Sequence, residues 1–444
     1  MHRLEGPPKS TLRTKGLETG ALEGVGGGLG HDGGGHRGLG SSRRFVFQGG
    51  GSTTAHEQAP REPRDSQGPS RGVDELEHDG TLALGMGRRQ AAARRGAEGV
   101  CSSGMKSESL VVAVIGAGSW GTALAIHAAR RGHRVRLWAR RAEHAAAMRS
   151  AGRNERYLPE GDLSKVEIVE SFDDALADAE LIIWAVPSHA LRQTARRARS
   201  AWARCAKEHA SLIAAKGVEV ESLKPMAVVL ADELPPADEA RICALGGPSF
   251  AAEVAAAKPT AVVVGCANSQ LARDVAESLS GEGMRAYHTD DVIGVELGGA
   301  FKNVIALASG IIDGAGLGTN ARAALITRGL HEMARLAEAF GAHPATLSGL
   351  AGLGDLVLTC TGGLSRNRRV GVALGEGRAL QEILDEMGMV AEGVKNAQSA
   401  HALAEQLHVE MPIVEVVHAI LYDDFAIGDA VAALMGRGLK RERQ

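Results

Sequence analysis

The 444-residue sequence lacks closely spaced cysteines, clustered charge and any long uninterrupted apolar run. Its five cysteines show no CxxC or other metal-ligand spacing, which argues against a disulfide framework or a structural metal site; they are Cys101, Cys205, Cys243, Cys266 and Cys360. A net charge of −3 without a basic stripe gives no reason to expect nucleic acid or a membrane surface as a partner. No apolar run reaches the roughly 18 residues of a membrane span. We therefore expect a soluble, cytoplasmic protein with reduced thiols and no metal.

The first hundred residues differ in composition from the rest. Residues 1–104 hold 24 of the 58 glycines, in runs such as GVGGGLGHDGGGHRGLG. Such a segment buries too little apolar surface to offset its chain entropy, so we predict a disordered, dispensable tail or a misassigned reading frame. It also lacks the apolar stretch of a secretory signal. Met105, directly before a strand and a glycine motif, is the expected start of the folded protein.

The remaining chain changes its periodicity once. Up to about residue 290, short β-branched runs alternate with helical stretches, which predicts parallel βαβ units; the runs are LVVAVIG, HRVRLWA, LIIWAVP, SLIAAKG, MAVVLAD, RICALGG and TAVVVG. From about residue 291 to 435 helical periodicity dominates. One helix ends on Gly341 and is expected to turn Glu332 to solvent. We predict an α/β domain over residues 109–293 and an all-helical domain over residues 294–436.

The strongest local motif is the glycine series Gly116, Gly118 and Gly121. It follows an apolar strand and opens an alanine-rich helix, the G-x-G-x-x-G arrangement in which the first glycine permits a tight turn. The second lets a pyrophosphate approach, and the third lets helix pack on strand. The N-terminal domain is therefore predicted to be a Rossmann-type parallel sheet that binds a dinucleotide.

Cofactor preference is indicated at the end of the second strand. NAD-specific domains usually carry an acid there for the ribose hydroxyls, whereas this chain has Arg140 and Arg141. Guanidinium groups suit a 2′-phosphate, which favours NADP over NAD. Two solvated arginines on a surface turn remain the alternative interpretation.

Further polar residues are expected at the carboxyl edge of the sheet. Lys216 follows an apolar strand and can reach a phosphate as a point charge. His189 is interpreted as a loop histidine. In the GGPSF turn the Ser249 hydroxyl can contact a ligand, although capping the following helix is favoured from the residues alone.

The helical half contains two polar groups of interest. Residues 297–312 predict a helix buried on all sides, yet it carries Lys302 and Asn303 near its start, and an unpaired buried ammonium is costly. Downstream, Asp355 is expected in a glycine-flanked turn. Ser365, Arg366 and Asn367 are expected to open a helix, where hydroxyl, guanidinium and amide suit a dianionic phosphate; Arg368 and Arg369 are interpreted as solvated, and Glu392 alone indicates nothing.

Taken in order, seven motifs resemble the bacterial-type NAD(P)-dependent glycerol-3-phosphate dehydrogenases; they are GAGSWGTALA, AVPSHALR, AAKGVE, GGPSFAAEVA, GAFKNVIALASGI, GLGDLVLTCTGGLSRNRRVG and VAEGV. The resemblance covers about residues 110 to 435. It implies reversible hydride transfer between NAD(P)H and dihydroxyacetone phosphate, giving sn-glycerol 3-phosphate, a phospholipid precursor. The N-terminal tail and the Gly362-Gly363 pair depart from the family pattern.

The resemblance also implies roles for individual residues. Lys302 takes the place of the family's proton donor and acceptor. Substrate contacts fall on Lys216, Gly247, Ser249, Lys302, Asp355, Ser365, Arg366 and Asn367. Besides the glycine series, cofactor contacts fall on Ser119, Trp120, Arg140, Arg141, Lys216, Ala251, Arg366, Val390 and Glu392, with Tyr157 a weaker candidate. Asn303 receives no role.

Two other functions remain open at this level. A related β-hydroxyacid dehydrogenase would place a lysine comparably but act on a carboxylate, against which the Ser365-Arg366-Asn367 group argues. A non-catalytic dinucleotide sensor would have little reason to keep Lys302, Lys216 and Asp355 together. The oligomeric state is also open, and a homodimer is common among relatives of this architecture.

Overall fold

The computed structural model describes residues 109–387, 391–438 and 441–442. The predictions for the tail, residues 1–104, and for Val390 lie outside these residues. Within them, strands end and helices take over at the point where the sequence changes periodicity, as predicted: the last strand ends at Thr289 and a long helix begins at Val292.

Ten strands form one large sheet and one small hairpin in this part of the chain. Eight of them make a sheet with the order β10-β9-β8-β7-β6-β1-β2-β5, and β3 pairs with β4. The strands are β1 Val111–Ile115, β2 Arg134–Trp138, β3 Arg153–Asn154, β4 Leu158–Asp162, β5 Val166–Val169, β6 Leu181–Trp184, β7 Ala210–Ile213, β8 Ile242–Gly246, β9 Thr260–Cys266 and β10 Met284–Thr289. The order reverses between β1 and β6, which is where doubly wound sheets bind dinucleotides.

The eight-stranded sheet is predominantly parallel, as predicted, but one pair of its strands departs from that pattern. β9 runs antiparallel to β8, with Gly246 opposite Val263. Their connection contains only the short helix Ala251–Ala255. Five helical residues span about 7.5 Å, too little to carry the chain back along a seven-residue strand of about 23 Å. The chain therefore reverses locally, and β9 and β10 extend the sheet in the opposite direction.

One local prediction was wrong: the run MAVVLAD forms a helix rather than a strand. The helix covers Met226–Ala231 after Pro225, and it buries Met226, Val229 and Leu230. That spacing of three and four residues is helical. Because the apolar run is short, its β-branched residues did not distinguish the two structures.

Sixteen α-helices lie within the described residues. Those around the sheet are α1 Ser119–Arg130, α2 Ala142–Ala151, α3 Phe172–Leu176, α4 Leu191–Ala198, α5 Met226–Ala231, α6 Ala251–Ala255 and α7 Ser269–Leu279. The helical half contains α8 Val292–Gly314, α9 Gly318–Ala339, α10 Pro344–Ser348, α11 Asp355–Thr361, α12 Arg366–Gly375, α13 Leu380–Met387, α14 Glu392–Gln406, α15 Pro412–Tyr422 and α16 Ile427–Met435.

Helix α8 is the centre of the helical half. Among the described residues it alone is long and apolar enough to cross a membrane by length and composition, but 94% of its apolar window is buried inside the protein. Its residues from Val292 to Ile311 are buried without interruption. As predicted for residues 297–312, α8 is a core helix covered on all sides.

Glycines allow α8 and α12 to pack backbone to backbone. A Cβ at Gly310 would lie 2.1 Å from the Arg368 carbonyl oxygen, and one at Gly371 would lie 2.1 Å from the Leu307 carbonyl oxygen. The same close contact is found one turn further along α8, where a Cβ at Gly314 would lie 2.1 Å from the Val372 carbonyl oxygen. Since the start of α12 carries Arg366 and Asn367, this contact sets how close they come to α8.

One residue of helix α9 that was predicted to face solvent is buried. Glu332 was expected to face solvent but is 3% exposed. Its carboxylate accepts hydrogen bonds from the Ile413 and Val414 amides at the start of α15, at 3.0 and 3.4 Å. Burial raises the pKa of Glu332 to about 7. The position is polar because it supplies acceptors to a neighbouring helix terminus.

We predict that Gly371→Ala destabilises the protein by about 1–3 kcal/mol, because the added methyl group forces α12 away from α8. Urea unfolding followed by circular dichroism measures this. The matched control is Gly428→Ala in α16, where an added Cβ meets nothing within 4 Å. That control should be neutral or raise the unfolding free energy by up to about 1 kcal/mol. Equal stabilities of the two variants would contradict the packing argument.

Candidate active site

The glycine-rich loop after β1 has the geometry that its motif predicts. Gly116 has a φ of +119°, and a Cβ there would lie 2.7 Å from the Ala185 carbonyl oxygen. A Cβ at Gly121 would lie 1.9 Å from the Gly116 carbonyl oxygen, so α1 packs directly on the loop. Nothing lies within 4 Å of a Cβ at Gly118. The first and third glycines are needed for packing, and the second faces open space into which a ligand can fit.

The N-terminus of α1 is free to bind an anion. Its N-cap is Gly118, and no side chain caps the first turn. The Ser119 hydroxyl donates instead to the Tyr157 carbonyl oxygen at 2.7 Å. The Trp120 Nε1 is buried with no hydrogen-bond partner among the described residues. Uncapped amides at a helix start suit a pyrophosphate, so the loop fits a dinucleotide.

Two basic side chains follow β2, the strand that pairs with β1. Arg140 and Arg141 follow β2, and both are exposed. Arg141 also borders a cleft of about 370 Å³ beside α2. This cleft is lined by Arg141, Glu143, His144, Ala147, Met148, Arg153, Glu155 and Arg156. Both guanidinium groups are therefore accessible to a ligand.

A buried charge triad joins the sheet to the helical half. The Lys302 Nζ, on α8, contacts the Asp355 Oδ1 and donates to the Thr359 Oγ1 at 3.0 Å. The Lys216 Nζ, just beyond β7, lies 2.7 Å from the Asp355 Oδ2. Asp355 is 1% exposed and Lys302 7% exposed. The lysine that looked unpaired in the sequence therefore has a carboxylate partner.

The triad alters the acidity of its members. Burial and the neighbouring Lys216 lower the pKa of Lys302, Asp355 raises it, and the net result is a pKa of about 8. Burial alone would raise the pKa of Asp355, but the two ammonium groups outweigh it and hold that pKa below its usual value. Lys302 is thus an ammonium that can lose its proton near neutral pH.

Asn303, which has no predicted role, contacts the start of α12. Its Oδ1 accepts from the Asn367 Nδ2 at 2.8 Å. The Asn367 Oδ1 in turn accepts from the Gly393 amide at 3.0 Å. Ser365 is the N-cap of α12 and accepts from the Arg368 amide at 3.2 Å, as the predicted helix start requires. Arg366 remains exposed beside this helix terminus.

Two expectations for this region were wrong. Asp355 is the first residue of α11, after a π-helical turn over Leu350–Gly354, and does not lie in a glycine turn. Arg368 is not solvated: its Nη2 lies 2.6 Å from the Asp313 Oδ2. In both cases a partner more than 50 residues away decides the conformation, and local glycines and charges did not indicate it.

The GGPSF segment lies beside the triad. Gly247 has a φ of +106°, and its carbonyl oxygen is 3.5 Å from the Lys216 Nζ. The Ser249 hydroxyl donates to the same carbonyl at 3.0 Å. Since Phe250 is the N-cap of α6 and makes no side-chain bond, the favoured capping role for Ser249 was wrong. Ala251 is the first residue of α6.

Glu392 links the two halves of the chain at the start of α14. Its Oε1 accepts from the Ser188 amide, beyond β6, at 3.4 Å. Burial raises the pKa of this carboxyl, against the influence of Arg366, Lys216 and Lys302. Glu392 therefore lies within electrostatic range of the triad and of the α12 terminus. Thr359, one helical turn after Asp355, is the residue of this site that sequence reasoning missed entirely.

A glycine-rich loop at the switch point of the sheet and a buried lysine of lowered pKa at the junction with the helical half are the features of a nicotinamide-dependent oxidoreductase. The family models for the N-terminus and C-terminus of NAD-dependent glycerol-3-phosphate dehydrogenase match residues 111–272 and 291–432. This chain belongs to the NAD-dependent glycerol-3-phosphate dehydrogenase family.

Individual relatives agree with this assignment. The chain is 50% identical over 334 residues to glycerol-3-phosphate dehydrogenase [NAD(P)+] of Geobacter metallireducens, covering 75% of this chain and 98% of the relative. It is 48% identical over 332 residues to the enzyme of the same name from Citrifermentans bemidjiense, covering 74% and 98%. The crystal structure of glycerol-3-phosphate dehydrogenase from Coxiella burnetii superposes with a TM-score of 0.70 at 42% identity, covering 74% of this chain and all of that one.

We predict that Asp355→Asn lowers the free energy of unfolding by about 3–5 kcal/mol, because two ammonium groups lose their shared buried counter-charge. Chemical denaturation at pH 7 measures the change. The matched control is the exposed Asp424, whose change to Asn should have an effect within about 0.5 kcal/mol. A loss below about 1 kcal/mol in Asp355→Asn would show that the triad does not stabilise the junction.

Proposed function

We propose that this protein reduces dihydroxyacetone phosphate to sn-glycerol 3-phosphate with NADPH or NADH, and that Lys302 is its proton donor and acceptor. One observation supports this most directly: the Lys302 ammonium is buried against Asp355 with a pKa lowered to about 8. A group of this acidity can give a proton to a developing alkoxide near neutral pH. Membership of the family supports the same reaction.

The dinucleotide would lie across the switch point. We assign its phosphates to the loop of Gly116, Gly118 and Gly121 with the amides of Ser119 and Trp120, because Gly118 faces open space there. Arg140 and Arg141 favour NADPH over NADH. When bound, the reduced nicotinamide supplies a hydride. The remaining assigned cofactor contacts are Tyr157, Lys216, Ala251, Arg366, Val390 and Glu392.

Lys302 would complete the reduction. As the carbonyl carbon accepts the hydride, its oxygen gains negative charge, which an ammonium within reach stabilises. Lys302 transfers a proton from Nζ to that oxygen and is left as a neutral amine, which solvent protonates again. Asp355 and Thr359 hold the Lys302 Nζ in place, because both accept hydrogen bonds from it. In the oxidative direction the neutral amine takes the proton back.

The substrate phosphate would be held at the start of α12. The Arg366 guanidinium and the first-turn amides there offer donors to a dianion, and the exposure of Arg366 leaves it accessible. Ser365 and Asn367 complete this cradle in our assignment. On the opposite side, Lys216 and the Gly247–Ser249 segment border the triad. Binding at both ends would fix the carbonyl near Lys302, which is catalysis by positioning.

We place the reaction in the cytoplasm, as a supply of sn-glycerol 3-phosphate for phospholipid synthesis. The proposed domain limits are residues 109–293 for cofactor binding and 294–436 for substrate binding. A homodimer is also proposed, by analogy with relatives of this architecture. Residues 1–104 are proposed to be dispensable for the reaction.

We predict that Lys302→Met lowers kcat/KM for dihydroxyacetone phosphate by about 10²–10⁴, because the proton donor is lost while the apolar stem is kept. Oxidation of NADPH followed at its absorbance maximum measures turnover, and a parallel series with NADH should give a lower kcat/KM. The matched control is Lys258→Ala, whose side chain is 62% exposed and which should retain wild-type activity.

Three results would count against the proposal. Absence of turnover by the wild type with either dinucleotide would reject the reaction. An active Lys302→Met variant would reject the role of the lysine. Preference for a β-hydroxyacid in place of the phosphorylated ketone would assign the protein to the related class of carboxylate-specific dehydrogenases.

We predict opposite pH dependences in the two directions. Reduction requires the Lys302 ammonium, so kcat/KM should fall as the pH rises through about 8. Oxidation of sn-glycerol 3-phosphate requires the neutral amine, so kcat/KM should rise over the same range. Rate profiles from pH 6 to about 10 test this. Asp355→Asn removes the group that raises the Lys302 pKa, and should move both transitions to lower pH; profiles that move to higher pH would contradict the argument.

A further inference from the structure

The hairpin of β3 and β4 contacts the glycine-rich loop through one buried side-chain amide, that of Asn154. Asn154 is 0% exposed. Its Nδ2 donates to the Ala117 carbonyl oxygen at 3.0 Å and to the Thr122 Oγ1 at 2.8 Å. Its Oδ1 lies 3.0 Å from the His144 Nε2. One side chain therefore connects the loop, helix α1 and helix α2.

The orientation of this amide follows from its partners. A backbone carbonyl can only accept, so the NH₂ group must face Ala117. The Oδ1 then accepts from the His144 Nε2, which must carry a proton. In this orientation the Asn154 Nδ2 donates to two acceptors and the Oδ1 accepts from one donor.

A second contact from the same hairpin holds the other side of the loop. The Tyr157 carbonyl oxygen accepts from the Ser119 hydroxyl at 2.7 Å, and the Tyr157 amide donates to the Asn154 carbonyl oxygen at 3.2 Å. Ala117 and Ser119 flank Gly118, the residue that faces open space. The hairpin thus fixes both neighbours of the glycine at which the phosphates would approach.

We propose that Asn154 is a positioning residue for the dinucleotide, holding residues 116–119 in the conformation that binds the pyrophosphate; this rests on the proposed function. A glycine-rich loop has many backbone conformations, and ordering it on binding costs affinity. The hydrogen bond from Asn154 to the Ala117 carbonyl oxygen orders the loop before the dinucleotide binds, so that less affinity is lost to ordering. Asn154 itself is fully buried and does not touch the cofactor.

The test replaces Asn154 by the isosteric Asp. Asn154→Asp presents an oxygen to the Ala117 carbonyl, so the contact becomes repulsive. The dissociation constant for NADPH, measured by fluorescence titration without substrate, should rise about 10-fold. At saturating NADPH, kcat and the KM for dihydroxyacetone phosphate should stay within about 2-fold of wild type, because the Lys302–Asp355 pair is untouched.

A stability control separates positioning from folding. Asn268 caps α7 by accepting from the Leu271 amide at 3.1 Å, and it lies outside the proposed site. Asn268→Ala should lower the melting temperature without changing the dissociation constant for NADPH. If Asn154→Asp does not fold, as judged by circular dichroism, Asn154→Ser is measured in its place and should weaken NADPH binding in the same way.

Two outcomes would overturn the inference. An unchanged dissociation constant with a lower melting temperature would make Asn154 purely structural, and a kcat that falls as far as the affinity would show a general disturbance of the site. The proposed reaction is judged separately. If the wild type binds NADPH but does not reduce dihydroxyacetone phosphate, the proposed reaction is rejected, and the dissociation constants of wild type and Asn154→Asp still test the role of Asn154. If the wild type binds neither NADPH nor NADH, the proposed reaction and the role of Asn154 are both overturned.

Discussion

A single buried carboxylate, that of Asp355, joins the sheet to the central helix of the helical half. It accepts a hydrogen bond from the Lys216 ammonium at the carboxyl edge of the sheet and another from the Lys302 ammonium in the central helix α8. Burying any one of these charges alone would cost several kcal/mol. Together they leave one net positive charge at the junction. That arrangement is costly for a structural contact but suits a site that receives an anionic substrate.

Close helix packing determines the distance between the triad and the proposed phosphate cradle. Lys302 and Gly310 are eight residues apart on α8, about 12 Å along its axis. Since Gly310 and Gly371 let the two backbones touch, α12 can place Asn367 on Asn303, directly beside Lys302. A bulkier interface would separate the proposed phosphate contacts from the proposed proton donor. The glycines in the core are therefore part of the geometry of the site.

Local signals in the sequence predicted what depends on local structure. The glycine loop, the helix start at Ser365 and the buried helix around Lys302 each have a short-range pattern, and the structure has all three. The sequence-based predictions were wrong where the environment of a residue depends on a partner far away in the chain. Glu332 is buried because it serves a helix terminus 81 residues away, and Arg368 is paired with Asp313 across two helices. The contacts of Asn154, Asn303 and Thr359 likewise depend on residues far along the chain.

The acidity of Lys302 reflects two opposing influences that its proposed role requires. A proton donor for the proposed reduction must be protonated in the resting site, and Asp355 favours that by raising the lysine pKa. It must also release the proton readily, and burial with Lys216 favours that by lowering the same pKa. The carboxylate shared by two ammonium groups leaves this pKa at about 8, a value that suits the proposed transfer of a proton in both directions.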